Sequence, residues 1–263
     1  MEISLMHKTA MVCGSTQGIG LATAQQLAAN GATVILVARD AEKMKSITSL
    51  LNNAHNQQHT FIATDFYKPS ELKSAVTNFL ESYDASIQIL INNTGGPAAG
   101  PAKDAEEEDF RIAFNAHLIC NHILASLLIP GMQKSGYGRI INIISTSVKQ
   151  PLPNLGVSNT IRAAVASWAK TLAGELGQYN ITVNNVLPGA TKTERLRSII
   201  AGKSLKTGLT ENTIEAEMQS EIPMKRFGEA SEIANAIAFL ASPAASYING
   251  INLPVDGGRT ACL

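Results

Sequence analysis

The sequence has no surplus of charge of either sign, since 21 lysines and arginines balance 21 aspartates and glutamates. Proteins that bind nucleic acid or anionic membrane surfaces usually carry a basic excess. We therefore expect neither nucleic acid nor membrane among the partners. Charged residues make up 16% of the chain and hydrophobic residues 45%, which predicts a well-buried core and excludes a disordered protein.

Cysteines and long apolar runs are also scarce. Cys13, Cys120 and Cys262 lack the spacing of a metal or redox site, and their odd number argues against a disulfide framework. His117 and His122 lie five positions apart, which is poor helical spacing for a shared metal, so we expect both to be ordinary helix residues and expect no metal. No run of about 18 apolar residues occurs, at the start or elsewhere. These absences predict a cytoplasmic protein.

Short β-branched runs alternate with longer helical patterns along the whole chain. Strands are predicted over residues 9–13, 32–37, 59–63, 87–91, 139–144, 181–186 and 251–255. Helices are predicted over residues 19–30, 41–54, 69–83, 104–133, 158–178 and 233–240. With no linker between halves, this pattern predicts one α/β domain over residues 1–263, with a doubly wound parallel sheet of about seven strands and helices on both faces.

A glycine-rich turn joins the first predicted strand to the first predicted helix, and its glycines have the spacing G-x-x-x-G-x-G. Glycines allow the tight turn and let backbone N–H groups approach a pyrophosphate that rests on the helix N-terminus. The turn therefore predicts a Rossmann-type dinucleotide site. Its expected cofactor contacts are Gly14, Ser15, Gln17, Gly18, Ile19 and Gly20.

The end of the second predicted strand bears on the choice between NAD and NADP. An acidic residue about 20 positions beyond the glycines binds the ribose 2′-hydroxyl in NAD-binding proteins. Here Ala38 occupies that position and Arg39 follows. A guanidinium can pair with a 2′-phosphate through two hydrogen bonds, so we expect NADP in preference to NAD. Asp40 is either a ribose ligand or the N-cap of the next helix.

These motifs and three later ones resemble the short-chain dehydrogenase/reductase family over essentially the whole chain. Residues 92–96 read Asn-Asn-Thr-Gly-Gly, close to the family's Asn-Asn-Ala-Gly; residues 188–193 match its P-G-x-x-x-T; and residues 256–258 read Asp-Gly-Gly. The resemblance implies hydride transfer, a small-molecule substrate and a homotetramer built partly on helices 104–133 and 158–178. It also implies cofactor contacts at Asp65, Phe66, Asn92, Gly95, Arg162, Pro188, Gly189 and Thr193.

The family's catalytic tetrad of Asn, Ser, Tyr and Lys is only half present. Asn115 and Ser145 match the first two residues, but the Tyr-x-x-x-Lys element falls on residues 158–162, which read Ser-Asn-Thr-Ile-Arg. The chain thus resembles a divergent branch labelled 3-oxoacyl-ACP reductase-like. Ser158 is a far weaker acid than a phenol. Arg162 is expected to bind ribose hydroxyls and stabilise an oxyanion, but it does not give up a proton.

Another group must then donate the proton. Lys149 lies in a loop expected to cover the substrate, and lysines shift their pKa readily when substrate excludes water from them. A solvated loop lysine is the other interpretation of Lys149. Ser147 is an alternative ligand for the substrate oxygen, or else a residue that only shapes the turn.

Residues 194–223 are longer than a simple connection and are expected to form a mobile substrate lid. The first half is basic, which fits an anionic substrate or a solvated helix face; its cations are Arg195, Arg197, Lys203 and Lys206.

The sequence as a whole predicts an NADP-dependent oxidoreductase that transfers hydride between nicotinamide and a carbonyl/alcohol substrate, with a non-standard proton donor. A catalytically silent dinucleotide-binding protein is the alternative, and a lyase or isomerase that uses the same cleft is a third possibility.

Overall fold

Seven parallel strands form one sheet, in the order β3-β2-β1-β4-β5-β6-β7, in the computed structural model, which describes residues 3–262. The strands are β1 Thr9–Cys13, β2 Thr33–Ala38, β3 Thr60–Ala63, β4 Ile89–Asn92, β5 Gly138–Ile143, β6 Ile181–Pro188 and β7 Asn252–Val255. The order reverses between β1 and β4, which is where ligands bind in sheets of this kind. The predicted doubly wound fold is confirmed.

Nine α-helices accompany the strands of the described chain. They are α1 Gly18–Ala29, α2 Ala41–Leu50, α3 Pro69–Glu81, α4 Glu107–Phe114, α5 Cys120–Ser135, α6 Gly156–Leu176, α7 Glu194–Thr207, α8 Glu211–Ser220 and α9 Ala230–Ala241. Alternate residues of the central strands enter two separate cores: Val12 packs with α1 and α9, whereas Met11 packs with α3, α5 and α6. This burial on both faces explains why apolar residues occupy consecutive positions in β1 and β2.

The predicted helix over residues 104–133 is wrong in one respect. A π-helical turn, Asn115–Ile119, separates α4 from α5. A π turn holds about one residue more than an α-helical turn, and the spacing of apolar residues does not reveal this extra residue. π turns often occur at functional sites.

The helical stretch Glu107–Ser135, taken together, is long and apolar enough to cross a membrane. This is weak evidence for a membrane span, because core helices of soluble proteins pass the same test. In the stretch's most apolar window, 44% is buried inside the protein. Leu124 and Leu128 belong to the core beneath the sheet.

Four asparagines form a hydrogen-bonded row across the sheet, one from each strand from β4 to β7. Asn92 Nδ2 donates to Asn142 Oδ1 at 2.8 Å, Asn142 Nδ2 to Asn185 Oδ1 at 2.9 Å, and Asn185 Nδ2 to Asn252 Oδ1 at 2.8 Å. Each pair also occupies directly opposed positions in neighbouring strands. The row gives partners to amide groups that would otherwise be costly to bury, although Asn92 Oδ1, at its first position, has no partner within residues 3–262.

Replacing Asn142 with leucine is expected to destabilise the fold strongly. The change leaves a donor of Asn92 and an acceptor of Asn185 without partners, at about 1–3 kcal/mol for each buried group. Asn252→Leu is the matched control, because Asn252 has one partner in the row and is only half-buried. Urea unfolding followed by circular dichroism measures both variants, and equal losses of unfolding free energy would contradict this role.

Candidate active site

The glycine-rich turn meets the loop after β4 at the point where the strand order reverses. Gly14 has a φ of +57°, and a β-carbon there would lie 2.7 Å from the carbonyl oxygen of Asn93. A β-carbon on Gly20 would lie 2.1 Å from the Gly14 carbonyl oxygen. Asn93 Nδ2 donates to the carbonyl oxygens of Cys13 and Gly14, at 3.3 and 3.2 Å. Only glycine fits at positions 14 and 20, so no side chain covers the backbone of this turn at the carboxyl end of β1.

The N-terminus of α1 is suited to an anion. Gln17 precedes the helix in an extended conformation, no side chain of the described residues caps it, and its first turn holds no acidic residue. The first N–H groups of α1 therefore remain for a ligand such as a diphosphate. Ser15 is fully buried, and its Oγ has no hydrogen-bond partner within residues 3–262. A β-carbon on Gly18 would lie 3.2 Å from the Thr193 methyl group, so two predicted cofactor contacts are neighbours.

The adenosine side of the predicted cofactor site lies at the ends of β2 and β3. Arg39 is exposed directly after β2. Asp40 is the N-cap of α2 and accepts from the Lys43 N–H at 2.9 Å, so the N-cap interpretation is the correct one. Asp65, after β3, accepts from the Tyr67 N–H at 3.0 Å, and Phe66 is buried beside it.

Several predicted cofactor contacts also have structural roles. The Asn92 side chain belongs to the asparagine row. Gly189 allows close packing, because a β-carbon there would lie 2.6 Å from the Asp256 α-carbon, and it directly follows Pro188 at the end of β6. Thr193 is the N-cap of α7. A side chain at Gly95 would meet open space, with no other atom of the described chain within 4 Å.

The predicted catalytic serine follows β5, and its hydroxyl is available to a ligand. Ser145 Oγ accepts from the Ser147 N–H at 3.1 Å, which leaves the Ser145 O–H free to donate. Ser147 itself is buried, and its Oγ has no partner among the described residues. Of the two serines, Ser145 is therefore the better ligand for a substrate oxygen.

Ser158 and Arg162 lie one turn apart on α6, as the spacing predicts. Ser158 is half-buried, whereas Arg162 is buried and its Nη1 donates to the Ile143 carbonyl oxygen at 3.0 Å. Burial, and secondly the charge of Arg195, lower the pKa of Arg162 to about 10. Arg162 is therefore still a cation at neutral pH.

His117 lies in the π turn, and no motif in the sequence assigns it to the site. It is buried, and its Nδ1 shares a hydrogen bond of 2.5 Å with Thr94 Oγ1. Burial, and secondly the charge of Arg162, lower the pKa of His117 to about 2. The His117 imidazole is therefore neutral at physiological pH. Of the two side chains, only Arg162 carries a charge.

Lys149 and Asn115 are the two remaining predicted catalytic residues. Lys149 is half-buried at the end of a short 3₁₀ turn, Thr146–Val148, that begins next to Ser145. Asn159 holds the following loop, since its side-chain amide donates to the Leu152 carbonyl oxygen at 2.9 Å. Asn115 is exposed as the first residue of the π turn.

Residues 194–223 form two helices, α7 and α8, with a small hydrophobic cluster of their own. The Arg195 Nη2 at the start of α7 donates to the Pro97 carbonyl oxygen at 2.8 Å, which connects this segment to the loop after β4. Arg197 instead pairs with Glu194 at 3.0 Å, and Lys203 and Lys206 are exposed. Within residues 3–262, no three His, Cys, Asp or Glu side chains are grouped in a way that could hold a metal ion.

Known proteins of similar sequence and structure share this architecture. The sequence family described as Enoyl-(Acyl carrier protein) reductase matches residues 14–260. The NADPH-dependent reductase BacG of Bacillus subtilis is 30% identical over 97% of this chain and 98% of its own. The 3-oxoacyl-(acyl-carrier-protein) reductase FabG of Aquifex aeolicus is 31% identical over 98% and 99% of the two chains.

Among solved structures, L-sorbose reductase from Gluconobacter frateurii, complexed with NADPH and L-sorbose, superposes with a TM-score of 0.93. It is 31% identical, and the match covers 100% of both chains. This chain therefore matches these reductases over nearly its whole length. It also contains the glycine turn, the uncapped N-terminus of α1 and the neighbouring Thr193. The protein belongs to the short-chain dehydrogenase/reductase family of oxidoreductases.

Proposed function

We propose that the protein is an NADP-dependent reductase that transfers hydride to a carbonyl carbon and uses a proton donor other than tyrosine. The observation that carries this proposal is that Arg162 donates to the carbonyl oxygen of Ile143, the last residue of β5, two positions before Ser145 in the chain. A hydroxyl donor and a buried cation beside each other suit the oxygen of a carbonyl that gains negative charge.

The glycine turn, the N-terminus of α1 and Thr193 would hold the cofactor, and the bound cofactor would supply the hydride. Ser145 would donate a hydrogen bond to the substrate oxygen and orient the carbonyl. Arg162 would bind ribose hydroxyls and stabilise the developing oxyanion through its charge. Because Arg162 keeps its proton, its contribution is electrostatic.

The proton donor is the part of the mechanism in which this chain departs from the family. Ser158 and Arg162 occupy the places of the tyrosine and lysine, and a serine hydroxyl is both shorter and a weaker acid than a phenol. Lys149 is our candidate donor, since it follows Ser145 by four residues on a loop that Asn159 holds against α6. A water chain starting at Asn115 is the second candidate.

NADP is the proposed cofactor because of Arg39. Its exposed side chain directly follows β2, Ala38 occupies the position of the acidic residue found in NAD-binding proteins, and Asp40 Oδ1 is engaged as the α2 N-cap. Two of the relatives, BacG and L-sorbose reductase, are described with NADPH. A positive side chain at the 2′-phosphate favours NADPH over NADH.

Wild-type protein is expected to bind NADPH more tightly than NADH, and Arg39→Ala should remove the difference. Charge-assisted hydrogen bonds contribute about 1.5–3 kcal/mol, so NADPH affinity should fall roughly 10–100-fold while NADH affinity stays the same. Fluorescence titration measures both cofactors. Lys45→Ala removes an exposed charge from α2 and serves as the control. Equal wild-type affinities for the two cofactors would refute the assignment of NADP.

We also propose that residues 194–223 act as a mobile lid over an anionic small-molecule substrate, and that the protein is a cytoplasmic homotetramer. The contact between Arg195 and the Pro97 carbonyl oxygen, which joins α7 to the loop after β4, supports the lid. Light scattering at micromolar concentration should give four times the chain mass, and cell fractionation should place the protein in the soluble fraction.

The reductase activity is tested with a panel of ketones, aldehydes and oxo acids, with NADPH consumption followed by the absorbance of the reduced nicotinamide. Turnover of at least one carbonyl compound, lost in Ser145→Ala, is the expected result. Tight NADPH binding with no turnover across the panel would contradict the proposal.

A further inference from the structure

Two arginine side chains from distant parts of the chain flank Gly96, in the loop after β4. The point where a side chain would begin on Gly96 lies 3.7 Å from Arg195 Nη2 and 3.9 Å from Arg162 Nη2. Because glycine has no β-carbon, this point is open space between two guanidinium groups. The two cations therefore share one small cleft.

Neither arginine has an acidic partner. Arg197, two residues from Arg195 on the same helix, shows the usual arrangement, since it pairs with Glu194 at 3.0 Å. Over residues 3–262, no salt bridge involves Arg162 or Arg195. Both donate to backbone carbonyl oxygens instead, which carry no net charge.

Two neighbouring cations without a counter-charge are costly, above all because Arg162 is only 8% exposed. A bound anion would offset both the burial of Arg162 and its repulsion by Arg195. Arg162 has five N–H donors, of which one N–H meets the Ile143 carbonyl oxygen. The planar guanidinium fork matches the two oxygens of a carboxylate.

The position of Arg162 indicates where on a substrate such an anion would be. Arg162 contacts the Ile143 carbonyl oxygen, and Ser145, the expected ligand of the substrate oxygen, follows two residues later. Ser158 precedes Arg162 by one turn on α6. An anionic group at Arg162 is therefore expected near the reacting carbonyl, which favours a substrate whose charge lies only a few bonds from that carbonyl.

We propose that Arg162 and Arg195 together bind a carboxylate of the substrate, and that the substrate is a 2-oxo or 3-oxo acid. This inference rests on the proposed reductase function, for which it names the substrate class. The remaining N–H groups of Arg162 stay available to ribose hydroxyls. The diphosphate of the cofactor offers similar oxyanions, and the experiment below separates these two sources.

The test measures binding without turnover, in the complex with oxidised NADP, which has no hydride to give. Pyruvate, acetoacetate and 3-oxohexanoate are each titrated by calorimetry beside their methyl esters, which carry the same carbonyl without the charge. At least one acid should bind about tenfold more tightly than its ester. Arg195→Gln should lower the affinity for that acid roughly 10–100-fold and leave the ester unchanged.

Three further variants make the result specific. Arg195→Lys keeps the charge without the fork and should recover part of the affinity. Arg197→Gln, on the same helix but paired with Glu194, should bind the acid like wild type. Gly96→Ala places a methyl group between the two guanidinium groups and should weaken acid binding without removing a charge.

Two results would overturn the proposal. One is equal binding of every acid and its ester. The other is a loss of NADP affinity in Arg195→Gln with acid binding unchanged, which would assign the cleft to the cofactor diphosphate. If an acid binds through Arg195 but is not reduced with NADPH, the carboxylate site stands and the reductase function fails, so the two proposals are tested separately.

Discussion

Lys149→Met is expected to lower kcat for a carbonyl substrate by about 10²–10⁴-fold, the range that general acid catalysis typically contributes. Methionine keeps much of the length and apolar character of the lysine side chain but has no proton to give. The affinity for NADPH should not change, because Lys149, on the loop after β5, is not among the residues that are expected to hold the cofactor. Single-turnover measurement of NADPH oxidation separates the chemical step from binding.

Ser158→Ala is the matched comparison, and it should cost much less if Ser158 only shapes the cleft. A fully active Lys149→Met enzyme would reject Lys149 as the donor and leave solvent, ordered near Asn115, as the proton source. A double variant, Ser158→Tyr with Arg162→Lys, tests the same point from the other side. Ordinary reductase activity in that variant would indicate that the remaining site is still arranged for hydride transfer.

Gly20→Ala is expected to reduce NADPH affinity by roughly 100-fold or more. The added methyl carbon would lie 2.1 Å from the Gly14 carbonyl oxygen and 2.7 Å from Asn93 Nδ2, so the turn and the start of α1 must move apart. That movement displaces the N–H groups that are expected to hold the diphosphate. Titration of intrinsic fluorescence with NADPH gives the dissociation constant.

Gly174→Ala is the control for this change. Gly174 is exposed on α6, and apart from the helix's own nearby backbone no described atom lies within 4 Å of the added carbon. Alanine favours the helix, so this variant should be slightly more stable than wild type and bind NADPH normally. Thermal unfolding of the unliganded Gly20→Ala protein shows whether the fold survives. Wild-type NADPH affinity in Gly20→Ala would be the contrary result.

The fold was predictable because local signals and global topology agree. The apolar β-branched runs, the helical spacing between them and the glycine turn after β1 all indicate a parallel sheet covered on both faces. The π turn at Asn115–Ile119 was not predictable, since apolar spacing continues through it with little change. His117 therefore looked like an ordinary helix residue, although it is buried beside Arg162.

The position of the site was predictable from the residues that follow strands. Gly14, Arg39 and Ser145 follow β1, β2 and β5, and the carboxyl ends of parallel strands meet at one edge. The cleft at Gly96 is different, because Arg162 and Arg195 reach it from α6 and α7. Their basic character is visible in the sequence, but charge alone does not tell a solvated arginine from one that faces another cation.

The asparagine row has a consequence for how the sheet assembles. Side chains alternate between the faces of a strand, so a shift of β5 by one residue would move the Asn142 amide to the opposite face, away from Asn92 and Asn185. Purely apolar strands would tolerate such slippage better, because one branched side chain replaces another at small cost. Parallel sheets form slowly because their strands come from distant segments of the chain. A shifted alignment here would leave several buried amides without hydrogen-bond partners at once. The row therefore favours the correct alignment of β4 to β7 over a shifted one, because only the correct alignment pairs the four amides.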